Sequence, residues 1–360
     1  MRVAVLGVGL IGGSIGLAAR RRLDARVAGF DPDGENLQRA LEAGAIDSAA
    51  SEVGGACEGS EVVFCAAPVG ALGDLAREAL AACGPETVVT DVGSTKRELV
   101  AALGEDGRFI GGHPLAGAET SGVENARAEL FEGARWYLTP TPRSGGMLYD
   151  RLQRIVADLG ARPQAIDAAD HDRLMATVSH LPHVLANVLV EQAARELADE
   201  SERLPEAGPS LRDSARVAGA NPAIWGDIFA TNREAVADAV ETAAARLRDA
   251  AEMIRSGDRD AVAEWHGRAG DDRRRLLEAE LAGGPLRELR VGVPNRPGTV
   301  AELALALGRA GVNIEDMALY PAADMSSGAV SLWVAGEEEA ARAADLVREL
   351  GHTVSVVEPG

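Results

Sequence analysis

The chain has 360 residues, 46% hydrophobic and 26% charged, enough for two or three domains with real cores. Its 56 acidic residues against 36 basic ones leave a net charge of −20, a surface that repels nucleic acid and anionic lipid and argues against both as partners. No apolar run approaches a membrane span, and Cys57, Cys65 and Cys83 are spaced neither for metal nor for a disulfide framework; with no targeting signal in view, the expectation is the cytoplasm.

Residues 3–6 are an apolar run leading straight into Gly7-Val8-Gly9-Leu10-Ile11-Gly12, and the small-residue stretch 14–19 then predicts a helix. Strand, tight glycine turn and helix start form the dinucleotide-binding fingerprint. Gly7 permits the sharp turn, Gly9 lets the backbone approach a pyrophosphate, and Gly12 packs the helix close to the strand. Leu10 and Ile11 open the helix, whose unpaired N–H groups and dipole favour an anion. A second strand-like run, 26–30, ends in Asp31, about 20 residues past the turn, as the fingerprint requires. That carboxylate can accept hydrogen bonds from ribose hydroxyls and repels a 2′-phosphate. The pattern therefore reads as NAD in preference to NADP, with nearby Arg39 softening the choice.

From residue 1 to 166, runs at 3–6, 27–30, 62–66, 88–91, 109–111 and 136–139 alternate with helical stretches. This predicts a doubly wound, mostly parallel sheet with ligands beyond the C-terminal ends of its strands. Three exits carry unusual chemistry. Ala66-Ala67-Pro68-Val69 offers, in Ala67 and Pro68, small residues suited to lying along a dinucleotide. Asp91-Val92-Gly93-Ser94-Thr95-Lys96 precedes a helix near Arg97, so Ser94 and Lys96 read either as turn and N-cap residues or as functional groups. Gly111-Gly112-His113-Pro114 holds His113 on a fixed loop at the sheet edge, where a nicotinamide belongs; Glu119, just after it, reads by itself as a surface carboxylate.

From about 168 to 282 the strand signal disappears. Residues 170–200 form one long helical pattern interrupted by Pro182, a kink that would turn His180 and His183 inward. Two histidines at this spacing have no third ligand nearby, so no metal is expected. A loop at 204–209 precedes two short segments, the second containing Trp225, read as core packing, and 232–281 is charged amphipathic helix. By architectural analogy such a helical region builds a dimer interface and closes over the cofactor. Gly283-Gly284-Pro285 marks a linker. Runs at 289–293, 299–310, 312–319, 329–334, 337–350 and 353–357 then give βαββαβ, a small ferredoxin-like sandwich. The expected domains are 1–166, 167–284 and 287–360.

Taken together, these motifs resemble prephenate dehydrogenases and their arogenate-using relatives. GVGLIGGSIG, DVGSTK, GGHPLAGAETSGV, VSHLPH and R-V-A-x(2)-N-P-A-I-W-x-D-I run in order from residue 1 to about 230, and GGHPLAG with SHLPH is the most specific pair. The C-terminal unit resembles an ACT domain, a module that commonly binds an amino acid. Asn295-Arg296-Pro297-Gly298 and Gly311-Val312-Asn313-Ile314 carry that match, with Asn295 where such domains often have Asp. The resemblance implies an α/β protein with an N-terminal Rossmann domain, an all-α dimerisation domain and a C-terminal ACT domain, working as a homodimer. It implies oxidative decarboxylation of prephenate to 4-hydroxyphenylpyruvate with NAD reduction, in tyrosine biosynthesis. Tyrosine would act as effector at Asn295, Pro297, Gly298, Asn313 and Ile314.

The same resemblance implies His113 as proton acceptor and Ser94 as the bridge between it, the nicotinamide and the substrate hydroxyl. It implies Arg216 as carboxylate binder, His183 with neighbouring His180 in the substrate network, and Glu119 at the pocket mouth. An arogenate dehydrogenase giving tyrosine directly is the alternative, and a catalytically inactive sensor of NAD and an amino acid a more distant one. Dehydrogenases of the β-hydroxyacid and 6-phosphogluconate type share the layout but rely on a helical-domain lysine, and residues 170–281 contain none.

Overall fold

Five short strands rich in Val, Ala and Phe open the chain: β1 (Arg2–Leu6), β2 (Arg26–Phe30), β3 (Ser48–Ala49), β4 (Val62–Cys65) and β5 (Val88–Asp91). The computed structural model describes residues 1–117, 120–197, 208–280, 285–294, 299–312, 314, 316–322 and 327–357. They fall into two units, Met1–Arg246 and Leu247–Gly360, with the boundary inside the Arg233–Ser256 helix.

In the first unit the five strands pair in parallel in the order β3-β2-β1-β4-β5. β4 and β5 are buried along their whole length, as in a sheet covered on both faces. Val3, Val5, Ile15 and Phe64 pack on one side, and Ala4, Leu6, Val63 and Leu72 on the other. Each large apolar side chain so buried stabilises the fold by roughly 1.5–3 kcal/mol. The strand order reverses between β1 and β4, and helices Leu10–Leu23 and Val69–Ala82 leave from just that crevice.

The single sheet expected over 1–166 is in fact two. β6 (Gly111–Pro114), β7 (Arg135–Thr139) and β8 (Arg162–Ala165) form a second sheet, β6 antiparallel to β7 and β7 parallel to β8. An isolated bridge between Val89 and Phe109 links the two sheets. The strand expected at 109–111 thus moves forward, and His113 sits on β6 rather than in a loop.

The described residues between 168 and 280 are mostly helical, in segments that include Ala168–Met175, Leu181–Leu197, Pro209–Ser214 and Pro222–Thr231. Pro182 has no N–H for the preceding turn, and that turn, Ala176–His180, widens into a π-helix. The long helix expected at 232–281 is divided into Arg233–Ser256 and Arg259–Glu280 by Gly257, whose φ of +70° suits glycine at a helix end. Most of the loop expected at 204–209 lies outside the described residues.

In the second unit β9 (Leu286–Pro294), β10 (Asp316–Pro321), β11 (Ser327–Ala335) and β12 (Thr353–Val357) form an antiparallel sheet in the order β10-β11-β9-β12. Helices Thr299–Arg309 and Glu337–Glu349 follow β9 and β11, completing the expected βαββαβ order. Leu289, Val291, Leu303, Val330 and Val347 make its core, and Ile314 packs against them. Arg273, on the Arg259–Glu280 helix, lies over the Trp333 ring at 5.3 Å. Asn295, Pro297, Gly298 and Asn313 lie outside the described residues. Among the described residues no helix is long and apolar enough to cross a membrane.

Candidate active site

The glycine turn after β1 has the shape its sequence requires. Gly7 holds φ at +98°, and its N–H donates to the Phe30 carbonyl at 2.7 Å. A Cβ on Gly12 would strike the Gly7 carbonyl, whereas the space beside Gly9 is open. The Leu10–Leu23 helix has no side-chain cap at Gly9 and no acidic residue in its first turn, so its N-terminal N–H groups remain for an anion. Asp31 stands over this turn: one carboxylate oxygen accepts the Val8 N–H and the other the Asp33 N–H, each at 3.0 Å. Ala67 is half-buried and Pro68 exposed at the exit of β4, across the crevice. An open cradle, an uncapped helix and a carboxylate with lone pairs to spare fit a dinucleotide with a free ribose.

His113 is placed by two glycines and a carboxylate. A Cβ on Gly112 would come within 2.6 Å of the Asp91 carbonyl and 2.8 Å of Thr90 Oγ1, so only glycine brings β6 this close to β5. Gly112 N–H donates to Asp91 Oδ1 at 3.1 Å. On that strand, half-buried His113 places Nδ1 2.9 Å from Nε2 of His171, and His171 Nδ1 lies 2.9 Å from Asp172 Oδ1. Both partners come from the Ala168–Met175 helix. Asp172 also accepts the backbone N–H groups of Lys96 at 2.7 Å and Arg97 at 2.9 Å. The Arg97–Leu103 helix is therefore capped from a remote element, and the cap role considered for Ser94 falls to Asp172. Ser94 is half-buried in the turn and, among the described residues, makes no hydrogen bond to His113.

Lys96 is the only lysine in the chain, and it is wholly buried in an ion pair with Asp91. Burial, followed by the charges of His171, Lys96 and His180, pushes His113 well below the ordinary histidine range. His113 is thus a neutral imidazole at neutral pH. In the sequence Lys96 stands open between a turn residue and a functional group, and His171 and Asp172 have no glycine or proline frame to mark them; their one local signal is an adjacent His-Asp pair near a helix start.

A cavity of about 600 Å³ opens nearby, walled by Gly117, His183, Arg216, Asn221 and Trp225 with the turn 217–220. The His183 ring stacks on Trp225 at 3.6 Å with planes 29° apart. Trp225, expected in the core, is a half-buried cavity wall instead, because its flat face is taken by His183. Burial lowers the His183 pKa, a hydrogen bond to the Val217 backbone opposes that, and the Arg216 charge adds to the lowering. His180 sits behind this wall, 1% exposed, with Nδ1 3.2 Å from Asn232 Nδ2 and its ring edge-on to Trp225 at 5.9 Å. Burial brings its pKa down to about 4, the Asp172 charge opposing and the charges of His171 and His183 assisting.

His113 does not itself line the cavity; the chain beyond β6 reaches the wall through Gly117, and Glu119 lies outside the described residues. Two contacts, Thr95 Oγ1 to Thr231 Oγ1 at 2.9 Å and Gly70 N–H to Asp227 Oδ2 at 3.3 Å, tie the strand exits to the Pro222–Thr231 helix. Among the described residues no group of three or more His, Cys, Asp or Glu side chains is placed to hold a metal ion.

Comparison with known proteins gives the same picture. The family described as prephenate dehydrogenase, nucleotide-binding domain, matches residues 15–165, and prephenate dehydrogenase, dimerization domain, matches residues 167–267. Prephenate dehydrogenase of Bacillus subtilis is 29% identical over 350 residues, which is 95% of this chain and 94% of that one. The crystal structure of prephenate dehydrogenase from Aquifex aeolicus, in complex with hydroxyphenyl propionate and NAD+, has a TM-score of 0.73 at 30% identity, over 77% of this chain and 98% of that one. Synechocystis arogenate dehydrogenase has a TM-score of 0.69 at 26% identity, over 77% of this chain and 100% of that one. With a dinucleotide turn, a neutral histidine at the sheet exit and an arginine-lined cavity already in place, these matches establish that the chain belongs to the prephenate dehydrogenase family of NAD-dependent oxidoreductases.

Proposed function

We propose that the chain converts prephenate to 4-hydroxyphenylpyruvate and carbon dioxide, with His113 as the proton acceptor. The observation that carries the reading is His113 itself, fixed on β6 beside the β5 exit and kept neutral by burial. Bound with its pyrophosphate on the Gly7–Gly12 turn and its ribose on Asp31, NAD supplies the hydride acceptor. Gly9, Leu10 and Ile11 offer the backbone of that turn, and Ala67 and Pro68 would lie along the bound cofactor. His113 Nε2 takes the proton of the ring hydroxyl as the hydride leaves the same carbon, and returns it to the phenolate once carbon dioxide has gone. Ser94, in the neighbouring turn, orients that hydroxyl. Arg216 pairs with a substrate carboxylate through its planar fork, and His183, flattened against Trp225, shapes the same cavity; His180 supports this wall from behind. Glu119 is assigned to the pocket mouth.

The same reading divides the chain into 1–166, 167–284 and 287–360, with the middle part dimerising two copies. It takes the βαββαβ unit as an ACT domain that binds tyrosine, and it places the protein in the cytoplasm, where the free Cys57, Cys65 and Cys83 suit a reducing environment. The likeness to an arogenate dehydrogenase keeps the amino analogue as the second reading.

The test is nicotinamide reduction with prephenate and with arogenate, each offered NAD and NADP. Fast turnover with prephenate and NAD is expected. Preference for arogenate reverses the substrate, and NAD binding without turnover on either moves the assignment to a sensor.

A further inference from the structure

We propose that His171 and Asp172 are a positioning pair that fixes His113 in the tautomer protonated at Nδ1, leaving Nε2 bare to take the substrate proton. The inference rests on His113 as the base and adds what sets its proton. Each assignment forces the next. Asp172 faces two backbone N–H groups, Lys96 at 2.7 Å and Arg97 at 2.9 Å, and these are donors that cannot change role. A carboxylate held by such donors is an acceptor toward its third neighbour too, so His171 Nδ1, 2.9 Å from Asp172 Oδ1, carries the hydrogen. A His171 ring with its single hydrogen on Nδ1 then presents a lone pair at Nε2. The 2.9 Å contact to His113 Nδ1 requires a donor there, and Nε2 of His113 is left without a hydrogen. Among the described residues that Nε2 has no hydrogen-bond partner.

Burial makes the string decisive. His171 is 0% and Asp172 2% exposed, so water offers neither an alternative partner. Tyr137 meets the His171 ring edge-on at 5.6 Å and holds its plane. When His113 gains the hydroxyl proton at Nε2, its Nδ1–H already points at His171, whose other nitrogen faces the Asp172 carboxylate. Neither residue touches the reacting atoms; both act through His113, as the orienting carboxylate does in a Ser-His-Asp triad.

Histidine ¹⁵N NMR of the full-length protein reads the tautomer directly. There are 6 histidines, and a His113→Asn control identifies the resonance. A protonated Nδ1 and a bare Nε2 on His113 are expected; the reverse overturns the proposal. Kinetics supply a second reading through two variants of similar size. In His171→Gln an amide oxygen stands near the place of Nε2 and still accepts from His113. In His171→Asn the amide reaches only the place of Nδ1, keeping the link to Asp172 and losing the one to His113. His171→Gln should hold kcat within about 10-fold and His171→Asn should lose about 100-fold or more, with KM little changed in both. Equal losses in the two variants mark a merely structural residue and sink the proposal. If His113→Ala keeps full turnover, the base assignment fails, and the tautomer is still decided by the NMR of the wild type.

Discussion

In the proposed reaction His113 and Arg216 would meet the substrate at different moments, and their variants should separate accordingly. The proton on the ring hydroxyl moves only as the reaction proceeds, so His113 matters little to ground-state binding. A substrate carboxylate is charged from the start, and a guanidinium holds it throughout. His113→Ala should therefore lower kcat by about 10²–10⁴-fold with KM nearly unchanged. Arg216→Ala should raise KM by roughly 10- to 100-fold, the loss of about 1.5–3 kcal/mol of charge-assisted hydrogen bonding, with a smaller effect on kcat. Steady-state rates with the preferred substrate give both numbers. A large KM effect at His113 with unchanged kcat would reverse the two roles.

The turn from β5 into the Arg97–Leu103 helix is built on one buried carboxylate. Asp91 accepts Gly93 N–H at 2.7 Å and Gly112 N–H at 3.1 Å, and it faces the ammonium of Lys96 with no solvent access. Lys96→Met removes the only full positive charge in that group and leaves the carboxylate buried with amide donors alone. The expected loss is about 3–5 kcal/mol of stability, read from urea unfolding of the two proteins. A loss below about 1 kcal/mol, the range of an exposed pair, would mean that Lys96 reaches water in solution.

How far such elements can be read in advance depends on how local their causes are. The Gly7 turn and the register of Asp31 were legible because a positive φ and a strand exit are fixed by a few adjacent residues. The βαββαβ order was legible for the same reason, as each run carries its own apolar pattern. β8 was not: Arg162-Pro163-Gln164-Ala165 has no apolar alternation, and it is a strand because β7 lies beside it. Nor was the partner of His113, which stands 58 residues along the chain and is brought in by the packing of a helix against β6. Trp225 was misplaced because a tryptophan suits a core and a stacked cavity wall equally well; only the position of His183 decides between them.

At the scale of the whole chain, the βαββαβ unit lies beyond the stretch that the family models match. The two family matches end at residue 267, and the Aquifex aeolicus enzyme is covered over 98% of its length by 77% of this chain. The Bacillus subtilis relative, matched over 95% of this chain, extends into the unit. The unit has its own core of Leu289, Val291, Val330 and Val347. That is the arrangement expected of a regulatory module whose ligand is coupled to the active site by a binding free energy. A chain ending at Glu280 should therefore keep its turnover, lose the contacts of the Arg259–Glu280 helix with β9 and with the Trp333 ring, and no longer respond to tyrosine, whereas the full chain should be inhibited. Initial rates across a tyrosine titration compare the two. Equal inhibition of both chains would place tyrosine in the catalytic cavity, where its hydroxyphenyl ring can stand in for that of the product, and would remove the regulatory role from the C-terminal unit.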